Sequence, residues 1–276
     1  MNKQQIDRAA RVLVQARRDM RPLDGLPAGM KPASIAEAHA IQDAVSAQLG
    51  QLIAGFKCMA PPESEPTRGA IYGGTIHASP CAIPARMVPQ CGVEAEVAFV
   101  FRRDLPPRDK PYTRNEVAAV LDACAAIEIV HSRFALRAPV SNLEKLADSI
   151  SNGALVHGVP NAAWRDLRLD RLKLTMTVNG KTTHDKIGGH PIDDPLGVAV
   201  VLANIWREKT GVRAGQFVTC GSYMGCDFIH PGDTCTVTFE GLGHAEVTFA
   251  NGSPVANAKE NAKETKSKGK RKEGKS

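Results

Sequence analysis

Aromatic residues are scarce in this chain, and it has no long hydrophobic run. Only 5% of the 276 residues are Phe, Trp or Tyr, although 43% are hydrophobic. The core must therefore rest on Val, Ile, Leu and Ala, and the length suffices for one sizeable core with a smaller helical appendage. Because the N-terminal region lacks the apolar stretch that a signal peptide or membrane span needs, we expect a cytoplasmic protein that does not bind membranes.

Paired cysteine motifs are absent as well. The chain has 7 cysteines, an odd number, and none of them forms a CxxC pair. This spacing is typical neither of a disulfide framework nor of a zinc site. We expect most of these cysteines to be small buried hydrophobic residues in a reducing compartment.

The net charge of +6 is concentrated at one end of the chain. Residues 259–276 hold seven Lys, one Arg and three Glu, a net charge of +5. A charged segment without aromatic residues cannot bury enough surface to fold. We therefore predict a disordered Lys-rich tail over residues 251–276 and no specific binding of nucleic acid by the rest of the chain.

The hydrophobic pattern changes near residue 50. Before that point, apolar residues recur at helical spacing around Ile6 and Leu13, and Ser34 with Glu37 forms the capping-box pattern that begins a second helix. From Leu52 onward, short runs rich in Val, Ile, Thr and Phe alternate with Gly and Pro, which favours strands.

We predict helices at 113–123 and 195–209, and strands at 52–57, 93–101, 125–131, 154–158, 172–179, 216–220, 234–240 and 244–249. Strands dominate and do not alternate regularly with helices, which predicts an α+β fold. We expect three regions: a helical segment at 1–50 packed on the core, a main domain at 51–250 and the tail.

The segment Val93 to Phe101 places two acids on one face of a predicted strand. Successive strand side chains point to opposite faces, so Glu94 and Glu96 share a face while the residues between them are apolar. Two carboxylates so close repel each other unless a cation or a proton lies between them. The spacing therefore allows a metal site, although an exposed polar face would show the same E-x-E pattern.

Glu128 is a lone acid inside the apolar run 125–130. Burial of an unpaired carboxylate is costly, so this side chain needs a partner. Arg133 could be that partner, as could a hard metal ion shared with Glu94 and Glu96. Ligation by oxygen alone suits Mg²⁺ or Mn²⁺ better than zinc.

Lys57 ends the apolar run that begins at Leu52. A lysine beside a metal and apolar walls can take part in proton transfer, whereas a lysine taken alone is more often a surface residue. The Pro-rich segment that follows, Met59 to Pro66, is a loop that could cover a site.

Taken together, the motifs over about residues 35–250 resemble the 2-keto-4-pentenoate hydratase and 2-oxo-3-hexenedioate decarboxylase group of the fumarylacetoacetate hydrolase superfamily. The matching segments, in chain order, are Ala38 to Gln42, Gly55-Phe56-Lys57, Val93-Glu94-Ala95-Glu96, Ile127-Glu128-Ile129-Val130, Ala147-Asp148-Ser149 with Ser151 and Gly153, Gly189-His190-Pro191, Gly221-Ser222, Pro231-Gly232-Asp233, Gly241-Leu242-Gly243 and 247–249.

This resemblance implies a mixed β-sandwich roll with N-terminal and peripheral helices, and Mg²⁺ or Mn²⁺ held by Glu94, Glu96 and Glu128. A glutamate as the third ligand points to the hydratase and decarboxylase branch, because the hydrolase branch more often has Asp there together with a His–Glu dyad. Relatives assemble into dimers or larger rings, so the resemblance also implies a homo-oligomer.

The chain departs from the family pattern at Arg68, Gly188 and Cys220. Arg68 belongs to the predicted loop from Pro66 to Ile71 and stands where the family has an acidic residue. It could change the acid/base partner or bind a second substrate carboxylate. Gly188 replaces a leucine, and Cys220 replaces a threonine.

This interpretation gives each remaining residue a role. Lys57 and Asp148 are the predicted catalytic residues, and Ser151 and Ser222, with Arg68, the predicted substrate-binding residues. The two serines could equally be turn residues, and we expect His190 to be structural.

The predicted activity is hydration of 2-hydroxypenta-2,4-dienoate, a small 2-hydroxydienoate acid of aromatic catabolism, to a 4-hydroxy-2-keto acid. The alternatives are decarboxylation of 2-oxo-3-hexenedioate, cleavage of an acylpyruvate C–C bond, and a catalytically idle relative.

Overall fold

The computed structural model describes residues 1–251. Within them the α-helices are α1 (Lys3–Asp19), α2 (Ile35–Leu49), α3 (Arg114–Ala118), α4 (Asn142–Ala147) and α5 (Pro195–Arg207). The strands are β1 (Ile53–Met59), β2 (Thr67–Tyr72), β3 (Ile76–Ala78), β4 (Cys81–Pro84), β5 (Gly92–Phe101), β6 (Leu121–Val130), β7 (Asn152–His157), β8 (Lys173–Val178), β9 (Lys181–Ile187), β10 (Phe217–Ser222), β11 (Asp227–Phe228), β12 (Thr234–Phe239) and β13 (Gly243–Ala250).

The strands form two packed sheets. The larger sheet has 8 strands in the order β2-β1-β10-β5-β6-β7-β3, with β11 paired to β5, and the smaller has 5 strands in the order β4-β13-β12-β8-β9. Parallel pairs (β1 with β10, β3 with β7, β4 with β13) occur beside antiparallel ones. The predicted α+β class with mixed sheets is confirmed.

The main core lies between the two sheets, and β5 shows how the sequence builds it. Alternate side chains of β5, from Val93 to Phe101, are buried in one hydrophobic cluster with residues of the smaller sheet such as Val237 and Phe249. The intervening side chains, Glu94 and Glu96 among them, point to the opposite face because strand side chains alternate. The strand that supports the core thereby also presents the acids.

The N-terminal helices form a second cluster of their own with α4. Its buried residues are Ala9, Ala10, Leu13, Val14, Leu26, Ala38, Ile41, Val45, Phe134, Leu146 and Ala147. Gln42 of α2 is fully buried, and its Nε2 donates to the carbonyls of Arg68 (3.0 Å) and Leu146 (2.8 Å). The helices are therefore joined to β2 and α4 by satisfied polar contacts as well as apolar ones.

Two local predictions were wrong. The predicted helix 113–123 ends at Ala118, because residues from Leu121 onward pair with β5 along their whole length as β6. The loop that follows Pro66 is a strand, β2, which pairs antiparallel with β1. In both places pairing with a neighbouring strand outweighs the local sequence signal.

No helix among the described residues is long and apolar enough to cross a membrane. All 7 cysteines are free, and five of them are buried. The predicted tail, apart from its first residue, lies outside the described residues.

Candidate metal-binding active site

Three glutamates meet on one face of the larger sheet. In the antiparallel pairing of β5 with β6, Glu94 lies directly opposite Glu128, and Glu96 lies two residues further along the same face of β5. One carboxylate oxygen of each residue lies within 4.8 Å of the others. The acids identified from the E-x-E pattern and from the apolar run around Glu128 are thus brought together.

Lys57 lies beside these carboxylates, on β1. Its Nζ is 2.7 Å from Glu128 Oε1 and 3.6 Å from Glu94 Oε2, and it donates to the carbonyl of Ile150 at 3.1 Å. Glu96, Glu128 and Lys57 are all buried, and Glu94 is half-buried. One ammonium therefore faces three carboxylates in a site largely withdrawn from water.

The pKa values of this cluster show the imbalance of charge. Burial, followed by the nearby charges of Glu128 and Glu94, raises the pKa of Glu96 well above its ordinary value. Burial also raises the pKa of Glu94, against the opposing effect of Lys57. Burial opposes the charge of Lys57, but the three carboxylates outweigh it and raise the pKa of the ammonium above its ordinary value.

The donor set fits a hard divalent cation. Three carboxylates supply only oxygen, and a cation among them would relieve the repulsion that the single lysine leaves. Oxygen ligands of this kind suit Mg²⁺, Ca²⁺ or Mn²⁺ rather than a soft metal. Glu94, Glu96 and Glu128 are the residues that could hold it.

Three further polar groups orient the carboxylates, and two of them, Asn152 and Thr219, were not identified from the sequence. Asn152 Nδ2 donates to Glu128 Oε1 at 3.0 Å, Thr219 Oγ1 to Glu128 Oε2 at 3.4 Å, and the Gly221 N–H to Glu96 Oε2 at 2.9 Å. Asn152 lies between Ser151 and Gly153, two residues of a motif that the sequence comparison with the family had identified. Its place in that motif could have indicated a role in the site. Such hydrogen bonds fix the ligand geometry of metal sites.

A left-handed turn forms one wall of the site. Ser149, Ile150 and Ser151 have φ values of 54°, 53° and 59°. For a β-branched residue such as Ile150 this conformation is unusual and costs free energy, of order 1–3 kcal/mol. The turn directs the Ile150 carbonyl at Lys57 Nζ. Gly69 of β2 makes room for it, because a Cβ there would lie 2.6 Å from the Ser149 oxygen.

The carboxylates and Lys57 line a pocket of about 420 Å³ whose other walls are mostly apolar. Its lining residues are Lys57, Cys58, Met59, Ala60, Pro61, Glu94, Glu96, Ile150, Pro191, Ile192, Val198, Thr219, Cys220, Gly221, Ser222 and Gly225. Lys57 is the only basic side chain in this lining among the described residues. Charged and polar groups at one end and apolar walls elsewhere suit a small acid with an apolar tail.

The structure does not bring Arg68 to the pocket. Arg68 pairs with Cys58 in the β1–β2 register, one residue beyond Lys57, so its side chain leaves the opposite face of the sheet. There it is buried, with Nη2 donating to Asp43 Oδ1 at 2.6 Å and Nη1 to Gln42 Oε1 at 2.9 Å. A direct contact between Arg68 and substrate, as predicted, has no support in this geometry.

Asp148 also lies outside the pocket lining. It is buried at the end of α4, where its Oδ1 accepts from Arg133 Nε at 2.5 Å and its Oδ2 from the Arg133 N–H at 2.9 Å. Arg133 is thus paired with Asp148 and not with Glu128, the partner considered in the sequence analysis. Asp148 anchors the segment after β6, which is a different role from the predicted catalytic one.

Of the two predicted serines, only Ser222 lines the pocket. Its Oγ donates to the Gly225 carbonyl at 2.7 Å, so it also holds the turn after β10. Ser151 belongs to the left-handed turn and is not part of the lining. His190 is buried, and its Nε2 lies 2.8 Å from the Cys220 carbonyl, which fits the structural role expected of it.

A His–carboxylate pair is present elsewhere in the structure. His184 Nε2 lies 2.8 Å from Asp227 Oδ2. His184 belongs to β9 of the smaller sheet and Asp227 to β11 of the larger one, so the pair links the two sheets. Neither residue lines the pocket, and the pair is therefore not placed to activate water there.

The fold and the site together define a class of α+β enzymes in which a carboxylate cluster at the end of an apolar pocket can hold a divalent metal. Residues 67–250 match the family model described as fumarylacetoacetate (FAA) hydrolase C-terminal. The chain belongs to this family, and the resemblance identified from its motifs is confirmed.

Relatives within the family are named for two activities. A 2-keto-4-pentenoate hydratase of Paraburkholderia xenovorans is 27% identical over 261 residues, which cover 90% of this chain and 96% of the relative. A 4-oxalocrotonate decarboxylase of Pseudomonas putida is 27% identical over 158 residues, 57% of this chain and 59% of the relative.

The fold is also that of a solved decarboxylase. The structure of 4-oxalocrotonate decarboxylase from Pseudomonas putida G7, complexed with magnesium and adipate, matches with a TM-score of 0.75 at 20% identity, covering 90% of this chain and 98% of that chain. A second structure of that decarboxylase, with calcium and acetate, matches with a TM-score of 0.71.

Proposed function

We propose that this protein is a divalent-metal-dependent hydratase that adds water to 2-hydroxypenta-2,4-dienoate and releases a 4-hydroxy-2-keto acid. Two sequence relatives named as 2-keto-4-pentenoate hydratases cover 90% of this chain and two others cover 67%, whereas two named as 4-oxalocrotonate decarboxylases cover 57%. In keeping with the family, we also propose a cytoplasmic homo-oligomer active in aromatic catabolism.

The pocket lining carries this choice between the two activities. The decarboxylase substrate is a dicarboxylate, whose distal carboxylate would need its own cation or hydrogen-bond donors when withdrawn from water. Beyond the end that Lys57 and the glutamates form, the lining offers Met59, Pro61 and Ile192 and, within the described residues, no second basic side chain. A monocarboxylate with a short hydrocarbon chain fits these walls without an unpaired charge.

Each site residue then has a task. Glu94, Glu96 and Glu128 would hold Mg²⁺ or Mn²⁺, which when bound supplies the positive charge that stabilises an enolate of a 2-keto acid. Lys57 Nζ holds a proton next to the reacting end of the pocket and is the candidate that donates and recovers protons along the conjugated chain. The Ile150 carbonyl fixes the position of that nitrogen, and Ser222 stands in the wall where a water or hydroxyl could be oriented.

Product analysis tests the proposal. Purified protein with Mg²⁺ is given 2-hydroxypenta-2,4-dienoate, 2-oxo-3-hexenedioate and an acylpyruvate in separate reactions. We expect a 4-hydroxy-2-keto acid from the first substrate and slower turnover of the others. Preferential release of CO₂ would support the decarboxylase, and pyruvate with a free acid would support the hydrolase. No turnover of any of the three would indicate a catalytically idle relative.

A further inference from the structure

A second cavity, of about 470 Å³, lies where the end of α1 meets the chain that follows β6. It shares no lining residue with the candidate active site. Its polar lining includes Arg21, Gln90, His131, Ser132 and Arg133. The proposed hydratase reaction uses none of these side chains.

The charges around this second cavity are unbalanced. Arg133 is paired with Asp148, but among residues 1–251 no carboxylate lies within 4.0 Å of Arg17 or Arg21. Burial, followed by the charge of Arg133, lowers the pKa of Arg17 to about 10. The Arg133 guanidinium is satisfied by Asp148 and by the carbonyls of Asp148 and Asn152, so Arg21 is the lining cation that has no carboxylate partner among residues 1–251.

His131 adds a buried polar atom without a partner. Its Nδ1 is buried and has no hydrogen-bond partner in the described part of the chain. Burial, with the charges of Arg133 and Arg17, lowers the pKa of its ring to about 3, so the ring is neutral. An unsatisfied buried group costs about 1–3 kcal/mol. With the ring proton on Nδ1, a negatively charged hydrogen-bond acceptor would satisfy this atom and balance the charge of Arg21.

The remaining lining is apolar. Met20, Pro22, Pro89, Leu136 and Phe228 line the same cavity, and Leu136 and Phe228 are 65% and 51% exposed. Large apolar side chains exposed beside cationic ones indicate a ligand with both an apolar body and an anionic head.

We propose that this cavity is a second ligand site that binds a small organic carboxylate with an apolar body, such as an aromatic acid. The carboxylate lies between Arg21 and His131, since arginine binds carboxylates with strong, charge-assisted hydrogen bonds. The apolar body lies against Leu136 and Phe228.

Calorimetric titration of the full chain in saturating Mg²⁺ tests this site with three probes. Benzoate carries both features of the ligand, benzyl alcohol only the apolar body, and sulfate only the charge. We expect benzoate to bind and benzyl alcohol not to bind measurably. Arg21→Gln should lower the affinity for benzoate by roughly tenfold, the effect of losing one charge-assisted hydrogen bond. Arg18→Gln should leave the affinity for benzoate unchanged, because Arg18 is an exposed residue outside the lining, about one turn away.

Two further variants separate a ligand site from a structural role. His131→Leu should weaken benzoate but raise the melting temperature of the ligand-free protein, because it removes the unsatisfied nitrogen. Leu136→Ser should lower the affinity for benzoate and leave the affinity for sulfate unchanged. Equal benzoate affinity in the wild type and Arg21→Gln would overturn the proposal. Loss of benzoate binding in Glu96→Gln alone would also overturn it, since the anion would then lie in the active site. Sulfate binding as tight as benzoate binding would overturn it too, because the apolar body would then contribute nothing.

Discussion

Lys57 Nζ lies 2.7 Å from Glu128 Oε1, and both side chains are buried. The contact joins β1 to β6 across two intervening strands, β10 and β5. It leaves Glu94 and Glu96 with an incomplete counter-charge.

Glu96→Gln should have opposite effects on stability and on activity. Without divalent metal, the carboxylate of Glu96 is buried among like charges, so its removal should raise the melting temperature by a few degrees. With Mg²⁺, the variant should lose the stabilisation that metal gives the wild type, and kcat/KM should fall by roughly 100-fold or more, the scale for losing a group that stabilises developing charge. Thermal unfolding with and without Mg²⁺ measures the effect on stability, and steady-state kinetics measure the effect on kcat/KM.

Glu246→Gln is the matched control, because that glutamate lies on β13, away from the pocket lining. Unchanged Mg²⁺ dependence in Glu96→Gln would remove Glu96 from the metal site.

Lys57→Met should separate metal binding from proton transfer. The change removes the ammonium but keeps an unbranched side chain, so we expect Mg²⁺ to bind at least as tightly as in the wild type. The kcat should fall by about 10²–10⁴, the range for loss of a general acid or base. Calorimetric titration with Mg²⁺ and single-turnover kinetics measure the two quantities. A kcat close to that of the wild type would show that Lys57 does not carry the proton.

The sequence predicted the acids of the site but not the positions of Arg68 and Asp148. The alternation in β5 and the apolar run of β6 identify Glu94, Glu96 and Glu128, because burial demands a partner for each acid. Arg68 was expected in a loop, where side-chain direction is not determined.

In the structure the residue that faces Lys57 is Gly69, one position later on β2. Asp148 forms a salt bridge with Arg133, and no local sequence pattern indicates this long-range pair. The sequence therefore identifies which residues are costly to bury, whereas the register of the strands decides which of them meet.

Gly69→Ala should disturb the left-handed turn that positions Ile150. The added Cβ would lie 2.6 Å from the backbone oxygen of Ser149, so the strand or the turn must move. We expect a loss of about 1–3 kcal/mol in the free energy of unfolding, as for other overpacked sites, and a lower kcat through the displaced Ile150 carbonyl. Urea unfolding and kinetics measure these. Gly74→Ala is the control, since nothing lies within 4 Å of a Cβ there. Equal stability of the two variants would contradict the prediction.

His39 should make the protein sensitive to mild acid. Burial, with the charge of Arg68, lowers the pKa of His39 from 6.5 to about 4. The unfolded chain therefore binds this proton at a higher pH than the folded chain does, so stability should fall as the pH falls from 6.5 towards 4.

His39→Gln can still accept the hydrogen bond from the Arg68 N–H. The variant should lose less stability than the wild type between neutral pH and about pH 5, a range that spans the unfolded pKa of histidine. Urea unfolding at the two pH values measures the difference, with exposed His230→Gln as the control. The same acid sensitivity in wild type and His39→Gln would contradict the assignment.

Met59→Arg should extend the substrate range towards dicarboxylates. Met59 lines the pocket and is 47% exposed, so an arginine there can keep its charge in contact with water while reaching the distal end of a substrate. The ratio of kcat/KM for 2-oxo-3-hexenedioate to that for 2-hydroxypenta-2,4-dienoate should rise by roughly tenfold, the effect of one charge-assisted hydrogen bond.

Met87→Arg places the same charge on a comparably exposed methionine outside the pocket and should leave this ratio unchanged. If both variants raise the ratio equally, the gain comes from net charge, and the apolar walls do not set the preference for a monocarboxylate.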